Sequence, residues 1–268
     1  MRHFKGIVFL IISVLLFQAQ GQDLRFSQYH DVPALTNPAM TGLFNGNCRI
    51  KAITRSQYYT ISSPYKQLGV TYDKSEFKNT GIAPMIGGFV DAARDANYGI
   101  FHFLLGGAKQ FQRGKDIISI GASAMFNQQS INASRLLFDQ IGNNFNSNFN
   151  PNGNLEFNIG GIYSFYIDKK RTGHFGLSMY NLNRANLGLL GVSRGYSRFV
   201  MHYETEILLD NGILVIPAFY YARQKQTHYG TIGVEAVKAF KSNIFANTSY
   251  HGGFYFDPHD GFTTEGGL

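Results

Sequence analysis

Three short stretches carry residue types that could do chemistry. "GVSRG", residues 191–195, sets Ser193 between glycines as a nucleophile elbow does, in a strained turn that lifts a serine off the end of a strand. "HGGF", residues 251–254, offers the backbone N–H groups of an oxyanion loop. "DPHDG", residues 257–261, offers Asp257 and Asp260 as oxygen ligands for a cation. Context removes each of them. The elbow needs a strand before it and a helix after it, and here the oxyanion stretch follows the serine instead of preceding it. The aspartate pair lacks the spacing of a calcium loop and reads as a turn. His102, His174, His202, His228 and His251 stand isolated, with no pair at metal-ligand spacing. No glycine-rich phosphate loop opens a helix. The expectation is a non-enzyme with no catalytic, cofactor-binding or metal residues and no cofactor.

The elements that would have to position such residues alternate with period two. In "NLEFNIGGIYSFYI", Leu155, Phe157, Ile159, Tyr163, Phe165 and Ile167 share one face, and Glu156, Asn158 and Ser164 lie on the other. Phe199, Met201, Tyr203, Ile207 and Leu209 likewise oppose His202, Glu204 and Glu206. Ile118, Ile120 and Phe126 oppose Ser119, Gly121 and Ser123. A helix would scatter these residues around its axis, whereas a strand separates them cleanly. The pattern predicts about twelve strands: 48–59, 66–74, 81–91, 97–111, 115–127, 154–167, 173–181, 198–209, 212–223, 228–240, 243–254 and one opening near Gly261. Most reach the roughly 9–11 residues that a membrane strand needs. No helix and no second domain are expected.

Connection lengths add a second regularity. "QRGK" (112–115), "DKKRT" (168–172), "DNG" (210–212) and "FKS" (240–242) read as tight turns. Stretches 60–65, 128–153, 182–197, 222–228 and 253–261 read as longer connections. Short and long links would then fall on opposite ends of the strands, as in outer-membrane barrels. Lys and Arg gather in the short turns. The longest loop is Asn-rich and includes Phe145 and Phe149, which a pure spacer does not need.

Composition agrees. Arg2 and Lys5, the apolar run Gly6–Phe17, and Ala19-Gln20-Gly21 make residues 1–21 a secretory signal peptide, cleaved near Gly21/Gln22. Its removal leaves 22 basic against 17 acidic side chains, a mild net +5 that demands no nucleic-acid partner. The single Cys48 rules out an internal disulfide framework. Charged residues are 15% of the chain and aromatics another 15%, against about 25% charged in soluble domains. An exported, aromatic-rich chain of this kind is either a secreted β protein or an outer-membrane barrel. In lipid every backbone polar group must be paired, so a spanning sheet has to close. The fold expected is all-β: a transmembrane antiparallel up-and-down β-barrel spanning 48–268, in the outer membrane, with an N-terminal arm over 22–47. About 12 strands are visible. The last stops at Leu268 without a full terminal strand, so a complete chain of 14 is expected, truncated here at its C-terminus.

The arm, "FSQYHDVPALTNPAMTG" (26–42), resembles the entry motif of the PorP/SprF family, outer-membrane proteins of the type IX secretion system of Bacteroidota. Phe26, Ser27, Gln28, Asn37, Pro38, Ala39 and Gly42 sit in the motif's places, with Met40 where Phe is usual. "RSQYYTISSPYKQLGVTYD" is similar to the family's first strand pair through Arg55, Gln57, Pro64, Tyr65 and Asp73. "QQSINASRLLFDQI" (128–141) is similar to a third family segment. The resemblance implies a barrel whose arm tucks against it, working in export or in surface attachment of a secreted protein such as a large adhesin used in gliding motility. Implied partners are the secretion machinery, a secreted surface protein with a C-terminal sorting domain, or both, besides outer-membrane lipid. Candidate partner-binding or plug residues are Phe26, Gln28, Asn37, Pro38, Arg55, Gln57, Phe145 and Phe149. A diffusion channel or small-ligand porin is the alternative, with a lumen lined by Glu156, Asn158, His202 and Glu204.

Overall fold

The computed structural model describes residues 32–57, 65–76, 80–93, 98–131, 153–186, 194–240, 248–257 and 261–267. Twelve strands form one sheet in sequence order, each paired antiparallel with the next. They are β1 (Cys48–Gln57), β2 (Tyr65–Lys74), β3 (Ile82–Ala93), β4 (Tyr98–Arg113), β5 (Asp116–Ile131), β6 (Gly153–Asp168), β7 (Arg171–Tyr180), β8 (Arg198–Leu208), β9 (Ile213–Gln224), β10 (Thr227–Phe240), β11 (Thr248–Asp257) and β12 (Gly261–Gly267). The up-and-down order and the strand positions follow the period-two reading. β1 and β12 are the sheet's edges and do not pair with each other among the described residues.

Alternation sorts the faces as expected, in the sense opposite to a water-soluble sheet. On β6, Phe157 and Ile159 are 47% and 46% exposed, while Glu156 and Asn158 between them are 3% and 2% exposed. Leu68, Val70 and Tyr72 on β2 face out, and Gln67, Thr71 and Asp73 face in. Among the described residues no helix is long and apolar enough to cross a membrane.

Residues 32–42 cross the buried face and touch every strand from β1 to β8. Leu35 O accepts from Arg198 on β8, and Gly42 N–H donates to Asp73 on β2. Eleven residues are too few to cover a flat face of this width, yet inward residues are buried from Gln67 on β2 to Tyr229 on β10. The sheet therefore curls around the arm. Two apolar clusters fill the curve. Val32, Leu35, Phe89, Leu104 and Met125 form one, and Tyr180, Val200, Tyr220 and Tyr229 form the other.

Several expectations need correction. The arm is not wholly irregular: Pro33–Thr36 forms one α-helical turn (α1) and Pro38–Met40 a 3₁₀ turn. Strict alternation of connection lengths fails outside β4–β9. Residues 222–228 are no long link, because β9 and β10 extend until only Lys225 and Gln226 remain between them. Lys225 takes φ +54°, which the tight turn requires. Conversely, "FKS" is not the whole link between β10 and β11, since β10 ends at Phe240 and β11 starts at Thr248. β5 runs on to Ile131, which shortens the Asn-rich connection. That connection, with Phe145 and Phe149, lies outside the described residues, as do Phe26, Gln28, Ser193 and residues 1–21.

Candidate functional site: an arm docked across the buried face

Local sequence shapes the arm first. Pro33 occupies the first helical position, where its missing N–H costs nothing and its fixed φ suits the turn. Asn37 precedes Pro38, so steric conflict with the proline ring keeps it out of the helical region. It is extended (φ −160°, ψ 119°) and ends α1. Its own side chain then caps the next turn, with Oδ1 accepting from Ala39 N–H at 3.0 Å.

That bond fixes the orientation of the amide. Ala39 N–H can only donate, so Oδ1 must face it and Nδ2 must face the sheet. Nδ2 lies 3.1 Å from Gly161 O on β6, 3.2 Å from Leu177 O on β7 and 3.2 Å from His202 Nε2 on β8. The amide has two hydrogens for these three neighbours, and His202 Nε2 can take one of them only in the tautomer that carries its proton on Nδ1. One buried amide thus ties three strands to the arm.

The wall is bare where the arm touches it. Gly121 on β5 and Gly160 on β6 are direct cross-strand partners. A Cβ on Gly121 would meet the Pro38 carbonyl carbon at 2.4 Å, and one on Gly160 would meet Asn37 Oδ1 at 2.0 Å. A side chain at Gly121 would fill the space of the Pro38-Ala39 backbone, and one at Gly160 the space of the Asn37 amide and the Pro38 ring. Around this glycine pair the wall donates to arm carbonyls. Ser119 Oγ donates to Ala39 O at 2.7 Å, Ser178 Oγ to Thr36 O at 2.7 Å, Tyr180 OH to Ala34 O at 3.2 Å and Arg198 to Leu35 O at 3.0 Å. The Arg198 guanidinium also stacks 4.4 Å above the Tyr180 ring.

The arm leaves through an ion pair. Asp73 accepts from Arg49 Nε at 3.0 Å and Nη2 at 2.8 Å, and from Gly42 N–H at 2.9 Å. Arg49 Nη2 also donates to Met40 O at 3.3 Å. The bidentate fork fixes both partners, and the extra N–H satisfies a carboxylate that is nearly buried. Gly42 takes φ +74° so that the chain can turn into β1.

The sequence-derived candidates divide accordingly. Asn37 and Pro38 lie at the centre of the docked segment and are fully buried. Arg55 and Gln57 occupy inward positions further along β1 than Arg49, the β1 residue that bonds the arm. Glu156, Asn158 and His202, proposed as lining for an open channel, are engaged. Asn127 Nδ2 donates to Glu156, Asn158 bridges Ser123 Oγ and Asn181 N–H, and His202 meets Asn37. Sequence reading missed Gly121, Gly160, Ser119, Ser178 and Arg198. The one available signal was glycine and serine recurring on the polar face of long strands.

The charge-poor outer face, the polar inner face and this docked segment now meet a comparison. A family model described as type IX secretion system membrane protein PorP/SprF matches residues 18–266, nearly the whole chain. No curated protein matches it.

Proposed function

The chain belongs to the PorP/SprF family of type IX secretion system membrane proteins, and from that premise we propose that it is an outer-membrane β-barrel that binds a secreted protein at the cell surface or hands it on during export. The barrel closes in lipid because an open edge there would leave a row of backbone groups without hydrogen-bond partners. Residues 22–47 act as its internal arm, and residues 1–21 direct export. The partner is a secreted surface protein with a C-terminal sorting domain, such as a large adhesin, together with the secretion machinery.

One observation carries the choice among roles: residues 32–42 occupy the concave face from β1 to β8 and bond to its walls. A pore for small solutes needs that space empty, so the occupied interior supports binding at the loops and rim over passage through the middle. Detergent extraction of native outer membranes, affinity purification and mass spectrometry test this. A large secreted protein or secretion component should co-purify in near-equal amount. Recovery of the chain alone, with ion conductance in planar bilayers, would establish the porin alternative.

A further inference from the structure

We propose that one end of β6–β9 carries a binding site for the phosphate headgroup of a membrane lipid, an inference that rests on the barrel reading above. The end in question is the one where β7 passes to β8 and β9 to β10. Arg184, Arg194, Arg223 and Lys225 are all exposed there. No exposed carboxylate accompanies them among the described residues at that end of β6–β10, and Glu156, at the same end of β6, points inward and is buried. Among the described residues these four cations have no counter-charge, and they form a crescent of positive potential.

The crescent is built rather than loose. Asn158 Oδ1 accepts from Asn181 N–H, and Asn181 Oδ1 accepts from Ala185 N–H at 2.8 Å, which pins the turn carrying Arg184 to the buried wall. Asn183 bonds β6 twice, donating to Leu155 O and accepting from Phe157 N–H. Arg194 is bridged to Asn186. Gln224 Nε2 donates to Tyr196 O at 3.1 Å, and Lys225 Nζ lies 4.4 Å above the Tyr196 ring, which joins the two connections. Arg223 Nε donates to Lys225 O.

The choice of occupant comes from what lies beneath. Arg223 faces outward and pairs across the ladder with Phe199, itself outward and beside Met179 on β7. Leu182 and Tyr196, within the crescent, are 42% and 47% exposed. The cations therefore sit directly at the margin of the apolar outer face. An amphiphile fits such a surface: phosphate oxygens against guanidinium groups, acyl chains along Phe199 and Met179. An acidic peptide would satisfy the charges but leave the adjoining apolar face without a use.

Native mass spectrometry of the mature protein in dodecyl maltoside tests this, with phosphatidic acid and diacylglycerol of identical chains as probes, since the two differ only in the phosphate. The protein should retain phosphatidic acid about tenfold over diacylglycerol. The quadruple variant R184Q/R194Q/R223Q/K225Q should lose that preference, and R184K/R194K/R223K should keep most of it. Equal retention of the two lipids by the unaltered protein, an undiminished preference in the quadruple variant, or displacement of the lipid by a glutamate-rich peptide would overturn the proposal. Faster migration of the unheated protein in SDS gels reports the folded barrel separately. Its absence sinks the barrel reading, and this site with it, whereas its presence with lost lipid preference sinks the site alone.

Discussion

Gly121→Val is the sharpest perturbation of the docked arm. The new Cβ would stand 2.4 Å from the Pro38 carbonyl carbon and 2.5 Å from Ala39 N, both backbone atoms that cannot swing aside. Ordinary carbon contacts begin near 3.5 Å, so the arm must lift by about 1 Å. The Ser119 Oγ to Ala39 O bond, 2.7 Å at rest, then stretches past the limit of a hydrogen bond. The Asn37 Nδ2 contacts start at 3.1–3.2 Å and have less slack. Each buried polar group left without a partner costs about 1–3 kcal/mol, so losing two costs about 2–6 kcal/mol. Even the lower figure raises the ratio of undocked to docked forms about thirtyfold. Thr36, 2% exposed, provides the reporter. In a Cys48→Ser background, Thr36→Cys should react with a maleimide reagent at least about thirtyfold faster when Gly121→Val is present. Gly230→Val on β10 is the control. A Cβ there meets nothing within 4 Å, and it should leave the rate unchanged. Equal rates in the Gly121→Val and Gly230→Val proteins would refute the steric account of docking.

Asn37→Asp should harm docking more than Asn37→Ala, because it replaces a donor that faces two carbonyls and His202 Nε2 with an acceptor; equal labelling rates for the two would count against the assigned amide orientation. Arg49→Met leaves the Asp73 carboxylate with Gly42 N–H and no charge partner, and should destabilise the folded form by about 1–3 kcal/mol, read as a lower temperature for loss of the fast-migrating gel band. Phe157→Arg, on the outward face of β6, should cost about 2–4 kcal/mol for folding into lipid vesicles if that position lies near the bilayer midplane. Asn158→Ala, one residue away on the inward face, should instead disturb the turn that begins at Asn181, seen as faster proteolysis there.

The strands were legible because alternation is local: Phe157 and Asn158 declare opposite faces with no knowledge of their neighbours. Turn lengths were less so. "ARQKQT" holds no glycine, yet Lys225 adopts positive φ and lets β9 meet β10 in two residues, a tertiary demand overriding local preference. The arm illustrates the other limit. Asn37-Pro38 announced a turn, and it makes one, but its partners Gly121, Gly160 and His202 lie far along the chain. Non-local pairing of that kind leaves no periodic trace, only glycines in strand interiors where propensity disfavours them. Arg49 and Asp73 face each other across β1 and β2, and only the structure reveals that their pairing also receives Gly42.

The central proposal is that the sheet closes around its own arm with its apolar face in lipid. Extraction of outer membranes with alkaline carbonate and urea, followed by SDS gels of unheated and heated samples, tests it most directly. The account predicts that the chain stays in the pellet and that the unheated form runs faster than the heated one. Release into the aqueous fraction, with a single band at either temperature, would contradict it.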